Sequence, residues 1–159
     1  MCPTLGKERC DRMARSSYQK EKILALREIL LRESDEEHPL STARIIELLA
    51  RQGIEAERKS IYTDIEALRE AGMDIVRSGE GRGSGWFVAS RRFELAELKL
   101  LVDSVQSSKF ITAKKTLALI QKLEGLASRC QARSLSRQVY VTGRVKTMNE
   151  SIYYNVDEL

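Results

Sequence analysis

The stretch ERKSIYTDIEAL, residues 57–68, carries two patterns at once. Ile61, Ile65 and Leu68 fall at i, i+4 and i+7, which places them on one face of an α-helix. Arg58, Lys59, Tyr62 and Thr63 point elsewhere and crowd the first turn and a half. A helix N-terminus already attracts anions through its free N–H groups and its dipole, so cations there work against stability. Their presence makes sense where the helix start approaches something strongly anionic.

The flanking residues give this helix a setting. Leu40 and Ser41 open the preceding element: Ser41 suits an N-cap, and Leu40 with Ile45 has the spacing of a hydrophobic staple. Ile45, Leu48 and Leu49 form its apolar face, and Gly53 stands where a helix-ending C′ glycine is expected. Upstream, a helix over about 16–32 is predicted, capped by Ser16 or Ser17. Its stripe is Ile23, Leu26 and Leu30, widened by Leu24 and Leu31. The charged run ESDEEHP, residues 33–39, stops it, since proline disfavours helix in the residue before it. Residues 1–15 show no periodicity and are expected to form a disordered arm.

Downstream, the quoted helix runs to Gly72. DIVRS (74–78) and GWFVAS (85–90) are rich in β-branched and aromatic residues and are joined by a glycine-rich tip, the pattern of a β-hairpin. A helix, then a capped helix, a short glycine turn and a third helix is the order of a helix-turn-helix. With the hairpin, residues 16–92 read as a winged helix-turn-helix. The expected fold is therefore mainly α: three helices plus a β-hairpin wing, followed by an amphipathic helical linker or dimerisation segment. That segment, 93–132, is predicted as a helical hairpin. Leu98, Leu101, Val102 and Val105 line its first helix; Thr112 caps the second, with Leu117, Ile120, Leu123 and Ala127 on one side. SRQVYVTGRVKT, residues 136–147, reads as extended. NESIYYNVDEL, residues 149–159, reads as a helix with Ile152, Tyr153, Val156 and Leu159 on one face, lacking a C-cap, so it is expected to lead into a further domain.

In a helix-turn-helix the second helix enters the major groove and its N-terminal residues meet base edges. The candidate DNA contacts are Arg58, Lys59, Ser60, Tyr62 and Thr63 on the third helix, Thr42 at the start of the second, and Arg82 at the wing tip. Ser60, near the helix start, either reaches a phosphate or faces solvent. Arg77, Arg91 and Arg92 read either as phosphate contacts or as ordinary surface charges, and Trp86 as a core residue packing the hairpin on the helices. The loop GEGRGSG, residues 79–85, lacks the Gly-Lys-Ser/Thr ending of a nucleotide-binding loop and leads into no helix.

Bulk charge is a weak guide. The net charge is +4, but residues 1–92 hold 17 basic and 16 acidic residues, so the DNA reading rests on local arrangement. Residues 104–149 hold nine basic residues and one acid, Glu124. Those cations either touch flanking DNA or face an acidic surface of another domain or partner. No apolar run approaches the roughly 20 residues that span a bilayer, and residues 1–16 lack an apolar signal core, so a cytoplasmic protein is expected. Cys2, Cys10 and Cys130 have neither disulfide nor metal-ligand spacing, and His38, the single histidine, lies in an acidic loop. No nucleophile–base or paired-carboxylate arrangement emerges. Neither catalysis nor a cofactor nor a metal site is expected.

ERKSIYTDIEALREAGMDIV, the glycine tip, GWFVASRRFELAELKLLVDSVQSSKFIT and NESIYYNVDEL together resemble the bacterial WYL-domain transcriptional regulators. The resemblance implies a DeoR-like winged helix, a helical link and then a WYL domain. The family's recognition helix commonly reads Arg/Lys-Arg/Lys-Ser/Thr-Ile-Tyr-Arg-Asp-Ile. Arg58, Lys59, Ser60, Ile61, Tyr62, Asp64 and Ile65 match it, whereas Thr63 stands where arginine is usual and removes one cationic contact. The WYL tripeptide does not occur in the chain. The expected function is a homodimeric, sequence-specific regulator that binds double-stranded DNA. The alternative is a winged-helix protein-interaction module; single-strand or RNA binding is disfavoured by the 6% aromatic content, because stacking platforms need aromatic rings.

Overall fold

The structure, a computed structural model, describes residues 5–79 and 84–138. Its order is α1 (Leu5–Glu33), α2 (Thr42–Arg51), α3 (Arg58–Glu70), β1 (Ile75–Ser78), β2 (Gly85–Val88), α4 (Leu95–Ser107), α5 (Ala113–Glu124) and α6 (Arg129–Gln138). The chain divides into two compact units, Met1–Ser90 and Arg91–Leu159. Among the described residues, no helix is long and apolar enough to cross a membrane.

In the first unit α1, α2, α3 and the β1–β2 pair enclose one apolar core. Leu26, Ile29 and Leu30 come from α1, Ile45 and Leu49 from α2, Ile61, Ile65 and Leu68 from α3, and Ile75, Trp86 and Val88 from the strands. Ile61 and Ile65 are fully enclosed, and each such side chain contributes on the order of 1.5–3 kcal/mol. The stripe expected on α1 needs one correction: Leu24 is 66% exposed and Ile29 is buried instead. Leu24 lies two residues from Leu26, which carries it about 200° around a 3.6-residue helix.

Of the disordered arm expected over residues 1–15, residues 1–4 lie outside the described residues, and from residue 5 the expectation is corrected, because α1 begins at Leu5 rather than near Ser16. Lys7, Glu8, Arg9, Met13 and Ala14 are strong helix formers, and beyond Gly6 no glycine or proline interrupts them.

Local signals at the other helices act as read. The Arg44 N–H donates to the Ser41 hydroxyl at 3.2 Å, and both staple residues, Leu40 and Ile45, are buried. Gly53 (φ 78°) ends α2, and Gly72 (φ 92°) follows α3, a left-handed conformation that a Cβ penalises. After α1, Asp35 accepts the N–H groups of Glu37 and His38, and His38 Nδ1 lies 2.8 Å from the same carboxylate oxygen.

β1 and β2 are antiparallel, with Arg77 opposite Trp86 and Ser78 opposite Gly85. Leu40 extends this sheet by one bridge: its N–H donates to the Trp86 carbonyl at 2.9 Å and its carbonyl accepts the Trp86 N–H at 2.8 Å. Gly85 permits that approach. A Cβ there would lie 2.9 Å from the Pro39 and Leu40 carbonyl carbons and from the Pro39 side chain. Gly85→Ala is therefore expected to cost about 1–3 kcal/mol, the scale of overpacking against backbone. Urea denaturation monitored at Trp86 measures it, and an unchanged midpoint would refute the close approach.

The second unit packs α4, α5 and α6 around Leu98, Ala127 and Leu135. The Lys115 N–H donates to the Thr112 hydroxyl at 3.2 Å, the expected cap of α5. The expected two-helix link over 93–132 and the start of the extended segment expected over 136–147 are corrected here. α5 stops at Glu124, and a further helix, α6, covers Arg129–Gln138. The cause is local. Ser128 Oγ accepts the Gln131 N–H at 3.1 Å while Gln131 Oε1 accepts the Ser128 N–H at 3.3 Å, a reciprocal cap that starts a new helix. The rest of the expected extended segment, and the helix expected over 149–159, lie outside the described residues.

Candidate nucleic-acid interface

The first two turns of α3 sort their side chains into an inner and an outer set. Ile61, Asp64, Ile65 and Leu68 face inward and are buried, while Arg58, Lys59 and Thr63 are exposed. The N-cap residue Glu57 makes no side-chain hydrogen bond to the helix, so the first N–H groups receive no carboxylate cap to offset the cations. The Thr63 hydroxyl leans back on the Lys59 carbonyl at 3.4 Å.

Three expected contacts lie further inward: Ser60, Tyr62 and Thr42. Ser60 is half-buried; its hydroxyl donates to the Glu57 carbonyl at 3.0 Å and accepts from Lys22 Nζ at 3.1 Å. Both bonds engage it on the side of Lys22 and the preceding turn. Tyr62 is half-buried as well, its ring edge-on to Trp86 with centroids 5.8 Å apart and planes at 70°. Thr42 is buried at the start of α2, beside the Tyr62 phenol. The Thr42 hydroxyl, then the Arg58 and Arg77 guanidinium groups, hold the Tyr62 phenol below its ordinary ionisation range. Arg82 lies outside the described residues.

A buried ion pair sets the pose of α3. Lys22 Nζ lies 2.8 Å from Asp64 Oδ2, with side-chain exposures of 6% and 2%. The other oxygen, Oδ1, accepts from Gln19 Nε2 at 3.1 Å. No hydrogen-bond donor is aligned on Oδ2, so the ammonium compensates it by charge while directing a proton to Ser60. The Tyr18 hydroxyl completes the seam, accepting the Glu55 N–H at 2.6 Å and donating to the Glu55 carbonyl at 2.9 Å. Thus α1 fixes both the turn before α3 and the first turn of α3.

Between α2, α3 and the strands lies a cleft of about 440 Å³, bounded by Thr42, Arg58, Tyr62, Arg77, Ser84 and Trp86. Sequence reasoning placed Trp86 in the core and left Arg77 undecided. Trp86 is a core residue as expected, 6% exposed, and it also forms the cleft floor, with the Arg77 guanidinium 5.6 Å and that of Arg69 5.2 Å from its ring centre. Arg77 Nη2 also donates to Ser84 Oγ at 3.2 Å. The strand register contained this signal, since residues directly opposite across a sheet share a face.

No protein-family model, curated protein or solved structure matches this chain.

Proposed function

We propose that the first unit is a winged helix-turn-helix and that the chain is a sequence-specific regulator binding double-stranded DNA, in the manner of the WYL-domain regulators it resembles. α3 lies in the major groove, and the tip over residues 79–85 rests on the backbone or in the minor groove. One observation carries the reading: the start of α3 projects Arg58, Lys59 and Thr63 outward while its other face is sealed into the core. Lys59 and Thr63 meet base edges; Arg58 sits nearer the backbone. Tyr62 contributes through its hydroxyl, its ring being committed to Trp86. A second copy of the chain is supported by Leu100 and Phe110, 68% and 64% exposed in the second unit; sedimentation at micromolar concentration reads monomer against dimer.

Selection of bound fragments from a random duplex pool, followed by anisotropy titration of the recovered sequence, tests the assignment. Affinity should fall on a log–log plot with salt, at about 0.9 per phosphate neutralised. Lys59→Ala combined with Thr63→Ala should lose at least about tenfold in affinity for the selected site, from base contacts worth roughly 1–3 kcal/mol each. The thermal midpoint should not move, because neither side chain is buried. Wild-type affinity in that double variant would remove α3 as the reading element. Absence of any duplex shift at low salt would favour a protein-interaction module instead.

A further inference from the structure

The arginines of α2 and α3 divide by position. Arg44 and Arg51 both pair with Glu47 at 2.6 Å, and Arg69 pairs with Glu66 at 2.8 Å. Arg58 on α3 and Arg77 on β1 have no carboxylate partner among the described residues, and both border the cleft. Each donates to a hydroxyl instead: Arg58 Nη2 to that of Tyr62 at 3.5 Å, and Arg77 Nη2 to that of Ser84 at 3.2 Å. Two guanidinium groups on one concave surface repel each other unless a negative charge lies between them.

The rest of the wall suits an oxyanion. Ser41 caps the N–H of Arg44 and leaves the amides of Thr42 and Ala43, the first two of α2, without an intrahelical acceptor. Both residues border the cleft, as do the hydroxyls of Tyr62 and Ser84. A phosphate group presents several acceptor oxygens, which match planar guanidinium forks, hydroxyls and amides. A single carboxylate, with two acceptor oxygens, would satisfy fewer of these donors.

We infer that the cleft between α2, α3 and β1–β2 is a phosphate-binding site, in which Arg58 and Arg77 clamp one phosphate from opposite walls over the Trp86 ring. The site deepens the duplex-binding reading and rests on it only for the source of the phosphate, either a backbone phosphodiester or a free phosphorylated molecule. An occupied cleft ties the strand pair to the starts of α2 and α3, so one phosphate organises three elements.

Trp86 is the only tryptophan, so its emission reports on the cleft directly. Inorganic phosphate is titrated into the full chain, replacing chloride at constant ionic strength so that screening stays fixed. A saturable change in Trp86 emission is expected, weakened about tenfold or more in Arg58→Gln and in Arg77→Gln. Arg77 also stacks on Trp86, so thermal melts accompany both variants; Arg58, exposed on α3, gives the arm that leaves the core untouched. A duplex arm names the source. If duplex produces the same emission change and phosphate competes with it at fixed ionic strength, the occupant is the DNA backbone. If phosphate saturates the site while duplex leaves Trp86 unchanged, the occupant is a free phosphorylated molecule. No saturable response to phosphate, or one retained in both variants, overturns the site. Failure of duplex to bind at all defeats the regulator proposal and leaves the phosphate arm standing.

Discussion

Asp64→Asn is expected to destabilise the first unit by about 3–5 kcal/mol, although it removes almost no volume. The substitution leaves Lys22, 4% exposed, with its ammonium inside the protein and no other carboxylate paired with it among the described residues. Lys22→Met alone strands the carboxylate in the same way and should cost a similar amount. The double variant Lys22→Met with Asp64→Leu removes both charges, and should recover wild-type stability or exceed it by about 1–4 kcal/mol. Single domains have only about 5–15 kcal/mol of stability, so either single change removes a large share. Urea denaturation followed at Trp86 measures this, since that fluorophore belongs to the first unit. A loss below about 1 kcal/mol in Asp64→Asn would show that water reaches the pair. The double variant also separates stability from pose. It lacks the directional link from Lys22 to Ser60, so on the regulator proposal it should discriminate less well between selected and random duplex while melting no earlier.

That pair marks how far the sequence was legible. The α3 stripe was read as Ile61, Ile65 and Leu68, yet Asp64 falls between them at i+3 on the same face. Lys22 stands likewise at the head of Leu26, Ile29 and Leu30, at i, i+4, i+7 and i+8. Two opposite charges at apolar-stripe positions were visible singly, but only tertiary contact shows that they meet. Helix ends were legible for a different reason. Ser41, Gly53, Gly72 and Thr112 act within a few residues of themselves, through caps and left-handed backbone. The start of α6 has the same kind of signal, with Ser128 and Gln131 spaced as a capping box, but apolar periodicity running through Ala127 concealed the break. At the candidate interface, Arg58, Lys59 and Thr63 were placed correctly on an exposed face because helical geometry fixes them relative to Ile61. Tyr62 and Ser60 depend on what α1 and β2 bring against the helix, and no local rule supplies that.

Trp86→Ala is the other substitution with a large expected effect, about 3–5 kcal/mol for an enclosed aromatic truncated to alanine. The ring is the common contact of three side chains. Tyr62 meets it edge-on, while Arg69 and Arg77 approach it at 5.2 Å and 5.6 Å. The backbone around it would survive, since the bonds to Leu40 use only main-chain atoms. What is lost is the surface on which two arginines and a tyrosine rest, so α3, β1 and β2 lose their common contact. Trp86→Phe keeps an aromatic floor with a weaker π face. It should retain most of the stability, losing roughly 0.5–1 kcal/mol at each partly exposed cation. The fluorophore disappears in both variants, so circular dichroism at 222 nm replaces emission as the probe. The two variants also divide the proposed roles. Lys59 and Thr63 stand on α3 away from the ring, so Trp86→Phe should keep its choice among duplex sequences while losing affinity through Arg77 in the cleft. If Trp86→Phe instead loses sequence preference with overall affinity unchanged, the ring orients the reading face of α3, and the division between a base-reading helix and a phosphate-holding cleft is wrong.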